Sequence, residues 1–104
     1  MSRAVFYLVP DAHPDDEYVN TFEAECVGDL TMNQFIDWQG RNILTGDVTF
    51  YDSFRIKSAE VQELLKIIEE KQFQPVDEND RLILMLKDAA EMNEGLYIEN
   101  EGAA

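Results

Sequence analysis

The sequence predicts an α+β domain: a small, mainly antiparallel sheet with two longer helices packed on one face and a short third helix. Three observations lead there. Residues 58–73, SAEVQELLKIIEEKQF, place Val61, Leu64, Leu65 and Ile68 at the i, i+3, i+4, i+7 spacing of one helical stripe. Residues 4–9, AVFYLV, form a short continuous apolar run with β-branched and aromatic residues, ended by Pro10. A chain of 104 residues that is 45% hydrophobic suits a single domain, residues 1–104, with a core that needs neither disulfide nor metal.

Taken in order, residues 4–9 read as a strand buried on both faces and central in its sheet. Residues 10–17, PDAHPDDE, hold two prolines and four acids and read as a loop. Residues 18–27, YVNTFEAECV, alternate, with Tyr18, Asn20, Phe22, Ala24 and Cys26 on one face. That predicts a half-buried strand broken by Gly28 and Asp29, although FEAEC also fits a helix.

Thr31 followed by Gln34 is a capping-box spacing. The short helix it opens, near residues 31–39, would bury Phe35 and Ile36, with Trp38 as a further candidate. Residues 47–56 alternate Val48, Phe50, Asp52 and Phe54 with Thr49, Tyr51, Ser53 and Arg55, which predicts a strand. Ser58 is placed to cap the long helix, and Glu60 suits its first turn. Asp77 is placed to cap a last helix over residues 78–94, stopped by Gly95.

Leu82, Ile83, Met85, Leu86, Ala89 and Ala90 would form the apolar face of that helix, with Leu84 nearly opposite. The run 81–86 also fits a buried strand, but Leu and Met favour the helix. Residues 95–100, GLYIEN, predict a last edge strand, and residues 101–104 a frayed end.

Twenty-two Asp and Glu against eight Lys and Arg give a formal net charge of −14. Such a field repels nucleic acid and anionic membranes, and it speeds encounter with basic surfaces. It also keeps a small protein dissolved, and solubility is the plainer account of the same surplus. The apolar run near the N-terminus is too short for a signal-peptide core or a membrane span, and one cysteine, Cys26, makes no internal disulfide. A soluble, cytoplasmic protein is expected.

Residues 12–17, AHPDDE, follow directly on the first predicted strand. This hexapeptide resembles the signature of the zinc-dependent N-acetylglucosaminyl deacetylase family. The resemblance implies a longer, doubly wound sheet, with His13 and Asp16 as zinc ligands and Asp15 as the base for the metal-bound water. The family takes a further His from a later strand, whereas His13 is the only His here, and Tyr18-Val19-Asn20-Thr21 stands where its Gly pair usually follows. The preferred account is an acidic loop shaped by its prolines, with no cofactor, no metal and no catalytic residue. Cys26 lacks a second imidazole to pair with, and the chain has no Gly-rich phosphate loop and no G-x-S-x-G elbow.

The acids are uneven along the chain. Residues 11–29 hold seven (Asp11, Asp15, Asp16, Glu17, Glu23, Glu25, Asp29) and residues 88–101 hold five (Asp88, Glu91, Glu94, Glu99, Glu101), with no Lys or Arg in either segment. Pairing of the last strand near the second would merge them into one negative face. Spaced carboxylates imitate a phosphate backbone. The expected function is therefore a non-enzymatic acidic inhibitor of the nucleic-acid-mimic type, such as an anti-CRISPR or other anti-defence protein. Its expected partner is a basic nuclease or nucleic-acid-binding protein. The expected contact residues are Asp11, Asp15, Asp16, Glu17, Glu23, Glu25, Asp88, Glu91 and Glu94. The competing readings are an immunity protein for a nuclease toxin, the zinc hydrolase, and a subunit that assembles through Leu84.

Overall fold

The computed structural model describes residues 2–102. The elements run β1 (Ser2–Val9), β2 (Glu25–Leu30), α1 (Met32–Gly40), β3 (Phe54–Ile56), α2 (Ser58–Lys71), α3 (Leu82–Glu91) and β4 (Gly95–Gly102). The sheet is antiparallel throughout, in the order β2-β1-β4-β3. The predicted α+β architecture is present, with the helices packed against the sheet. The longer doubly wound sheet implied by the deacetylase resemblance is absent from residues 2–102.

β1 lies between β2 and β4, as its unbroken apolar run predicts. Ala4, Phe6 and Leu8 alternate into the core beneath the helices. Tyr7 and Val9 face the other way and are also buried, so the C-terminal half of β1 is covered on both faces. β4 is interior and not an edge strand, because β3 pairs with its far side. Glu101 and Gly102, expected to fray, pair with Arg3 and Ser2 in that strand, while residues 103–104 lie outside the described residues.

Two predicted strands are displaced. Of the second, predicted over residues 18–27, only 25–27 lie in β2, which continues to Leu30, and Phe22, assigned to a half-buried face, is 96% exposed. Gly28 does not break the strand. It pairs with Phe6 beside the bulge, where Val27 is the extra residue opposite the Phe6–Tyr7 step, and its φ of 148° is a conformation that favours glycine. A Cβ there would come 3.0 Å from Met85 Sδ, so Gly28 also lets α3 approach the sheet.

The expected strand over 47–56 shrinks to the three residues of β3. Thr49 and Asp52 tie their own turn instead: Asp52 Oδ2 accepts from Thr49 N–H at 2.7 Å, and Thr49 Oγ1 accepts from Tyr51 N–H at 3.1 Å. Such local bonds compete with ladder pairing.

The capping box at α1 forms as predicted: Thr31 Oγ1 accepts from Gln34 N–H, and Gln34 Oε1 accepts from Thr31 N–H. Phe35 and Trp38 are fully buried, but Ile36 is 53% exposed because it falls off their stripe.

Two predicted caps are corrected. Ser58 does not cap α2 with its hydroxyl. Its N–H and hydroxyl both donate to the carboxylate of Asp11, 47 residues earlier in the chain. α2 closes at Lys71, two residues before Phe73, with Gln72 in the left-handed region at φ 56°. α3 begins at Leu82 and not at Glu78, because Asp80 holds its first turn: Asp80 Oδ1 accepts from Leu82 N–H at 3.0 Å. Asp77 instead accepts from Asn79 N–H and from Gln34 Nε2. Asn93, at φ 54°, follows the end of α3, so Gly95 does not stop it and begins β4. The 81–86 ambiguity resolves as helix from Leu82 onward, with Leu84 half-exposed.

Candidate functional site

The chain between β1 and β2, residues 10–24, folds over the outer face of the sheet, on the side away from the helices. Val19 is its buried peg. Tyr18 and Val19 lie between two hollows: one contains Val9 and Pro10, the other Arg55 and Tyr97.

The first hollow is a groove of about 580 Å³ at one end of the sheet. Leu8, Val9, Pro10, Val19 and Ala24 supply apolar surface. Glu23 comes from the turn before β2, Glu25 opens β2, and Glu94 closes the α3–β4 connection. No Lys or Arg lines the groove, and none of these three carboxylates forms an ion pair among the described residues. Tyr18 and Met92 also line it, 78% and 59% exposed, with Phe22 projecting from the same turn as Glu23.

The two acid-rich segments thus meet, but by a different route from the one expected. β1 separates β2 from β4, and the contact comes from Glu94 at the end of the α3 connection. Asp88 lies on the β2 side of α3. Helical spacing groups it with Arg81 and Met92, which border Gly28 and the groove respectively. Glu91 points outward from α3, exposed. Asp29 pairs with Arg3 at 3.7 Å.

The second hollow, about 560 Å³, separates the loop acids by role. Asp15 pairs with Lys57 Nζ at 2.6 Å and with Arg55 Nη1 at 3.2 Å. Asp11 is held by Ser58. Asp16 and Glu17 line the hollow, exposed and without ion pairs among the described residues. Of the nine acids expected to meet a partner, Asp11 and Asp15 are therefore engaged internally, and the other seven form no ion pair among the described residues.

His13 Nε2 lies 3.3 Å from Glu17 O. Among the described residues no group of three or more His, Cys, Asp and Glu side chains converges in a geometry able to hold a metal ion. Cys26, expected on one face of a half-buried strand, is exposed. It stands opposite Tyr7 on the outer face.

Titration follows these contacts. Hydrogen bonds from Ser58 hold the Asp11 carboxyl below the usual carboxylate range. The Lys57 hydrogen bond and charge do the same for Asp15. Both shifts are downward, so each contact contributes stability above the ordinary carboxylate value, about 3.9, and loses it as pH falls through the lower folded value. In an acid series of urea unfolding curves, the Asp11→Asn/Asp15→Asn double variant is expected to show a shallower stability loss below about pH 4 than the parent. Parallel curves would mean that neither contact is linked to folding. On the outer face, burial and the hydrogen bond to Glu101 push the Tyr7 phenol far above its ordinary value, and burial raises Tyr97 as well.

Sequence reasoning did not find Met92 as a groove residue. The signal for Met92 was weak: a methionine just past the predicted stripe of α3, next to Glu94. No helix among the described residues is long and apolar enough to cross a membrane. No protein-family model matches this chain, and no curated protein or solved structure shows significant similarity to it.

Proposed function

We propose that this protein is a non-enzymatic inhibitor that docks the acidic end of its sheet onto a cationic, nucleic-acid-handling surface of another protein in the cytoplasm. The observation that carries this reading is the groove where Glu23, Glu25 and Glu94, from separate stretches of chain, meet over apolar surface with no Lys or Arg among its lining residues. Unpaired carboxylates at the rim steer a basic partner by long-range attraction. The apolar floor and the exposed Tyr18, Phe22 and Met92 supply desolvated contact, where binding energy concentrates. Solubility alone asks for charge but not for exposed aromatic and thioether side chains beside it. Anti-CRISPR proteins of the nucleic-acid-mimic type and immunity proteins against nuclease toxins both fit this chemistry, and both offer carboxylates to a site built for phosphate.

The test is capture of the partner from the source cell and its phage, followed by affinity measurement at two salt concentrations. The expected contact surface is rich in Lys and Arg, with binding that weakens steeply as salt rises. The Glu23→Gln/Glu25→Gln/Glu94→Gln variant should lose about tenfold or more in affinity, mostly through slower association, while keeping its fold. A partner with an acidic contact surface, or unchanged affinity in the triple variant, would remove the groove from the account.

A further inference from the structure

We infer that Arg55 is the positioning residue of the acidic loop, and that the proline-rich stretch 10–15 is a latch closed onto its guanidinium. The AHPDDE-like motif thereby acquires a role that involves no metal. β3 places Phe54 and Ile56 toward the core and Arg55 on the outer face, where its side chain is only 11% exposed. Its Nη1 donates to His13 O at 2.6 Å and to Asp15 Oδ1 at 3.2 Å, and its Nη2 donates to Pro10 O at 3.0 Å. One planar fork thus gathers two backbone carbonyls and a carboxylate from a six-residue stretch. Lys57 adds a second cation on Asp15, and Asp11 pins the start of the stretch to the first turn of α2.

Nothing else in the backbone does this work. Among the described residues, the backbone hydrogen bonds within residues 10–24 are local turns: His13 N–H to Pro10 O, Glu17 N–H to Pro14 O, and Glu23 and Ala24 N–H to Asn20 O. Without the side-chain pins the loop is tied to the sheet only by its two ends and by Val19. Closed on Arg55, it carries Tyr18 and Val19 back over the outer face, where they wall the groove. A wall formed before encounter spares a partner the ordering cost of a flexible loop. That consequence for docking rests on the function proposed above, whereas the positioning by Arg55 does not.

Amide hydrogen exchange of the free protein tests the latch. In Arg55→Met, amides in residues 13–24 are expected to exchange about tenfold faster or more, while those of β1 and β4 keep their protection. Arg55→Lys should fall in between, because an ammonium keeps the charge but cannot span three acceptors as a planar fork does. Asp15→Asn, which leaves both carbonyl bonds, should give a smaller rise confined to the same loop, and it serves if Arg55→Met fails to fold. Unchanged loop exchange in Arg55→Met overturns the inference. So does a uniform rise across loop and core, which would make Arg55 a support for the whole fold. Binding of a hexa-arginine peptide to the parent is measured alongside. Its failure would count against the docking reading, while the exchange data still decide the role of Arg55.

Discussion

Asp80→Ala is expected to cost about 3–5 kcal/mol of folding stability. Asp80 is 94% buried by exposure (6% accessible), yet its carboxylate is satisfied on both oxygens. Oδ2 accepts from Trp38 Nε1 at 2.7 Å and from Val76 N–H at 2.8 Å, and Oδ1 accepts from Leu82 N–H at 3.0 Å. Truncation strands an indole N–H, a turn amide and a helix-start amide in or beside the core. Each unsatisfied buried donor costs about 1–3 kcal/mol, and partial relaxation reduces the sum. Asp80→Asn should lose less, since one amide oxygen still accepts, but its NH₂ meets donors. Urea unfolding followed by the fluorescence of Trp38, the only tryptophan, reads both effects. A midpoint for Asp80→Ala within experimental scatter of the parent would show that α1 and α3 hold together without this carboxylate.

Gly95→Ala is the second large effect, at about 3 kcal/mol, the upper end of what overpacking costs. A Cβ at Gly95 would stand 2.5 Å from the carbonyl oxygen of Ile56, 3.2 Å from Lys57 Cα and 3.0 Å from Asp11 Oδ1. The first two are backbone atoms and cannot swing aside. β4 would have to part from the β3–α2 junction, and the added methyl would also press on the carboxylate that caps α2. Gly46→Ala is the control, because nothing lies within 4 Å of its added Cβ. Comparable thermal midpoints for the two variants would mean that the close approach at Gly95 is not tight in solution.

These two residues show where sequence reasoning stopped. Asp80 lay in plain view as one of several acids in a turn, and Asp77 was the better capping candidate by position. What selects Asp80 is Trp38, 42 residues earlier, whose indole needs a buried acceptor. Gly95 read as a helix stop because glycine is common there. Its real constraint is the nearness of Ile56, which no local pattern encodes.

The candidate site divides in the same way. That residues 11–29 and 88–101 are acidic and lack cations is plain in the sequence, and so is the proline-shaped loop. That Asp11 and Asp15 are engaged by other parts of the chain is not, because Ser58, Lys57 and Arg55 reach them across 40 residues or more. Equally hidden was the route by which Glu94 meets Glu23 and Glu25, which depends on α3 ending beside the start of β2.

By itself the sequence determined what short-range physics decides. The apolar stripe of α2, the unbroken run of β1 and the Thr31–Gln34 capping box act over a turn or a strand, and a side-chain period suffices to read them. Only the tertiary structure decided which strands are interior, which acids are capped or paired, and which remain free to face a partner. Those outcomes rest on contacts between residues far apart in the chain, where several carboxylates of equal local merit compete and packing selects among them.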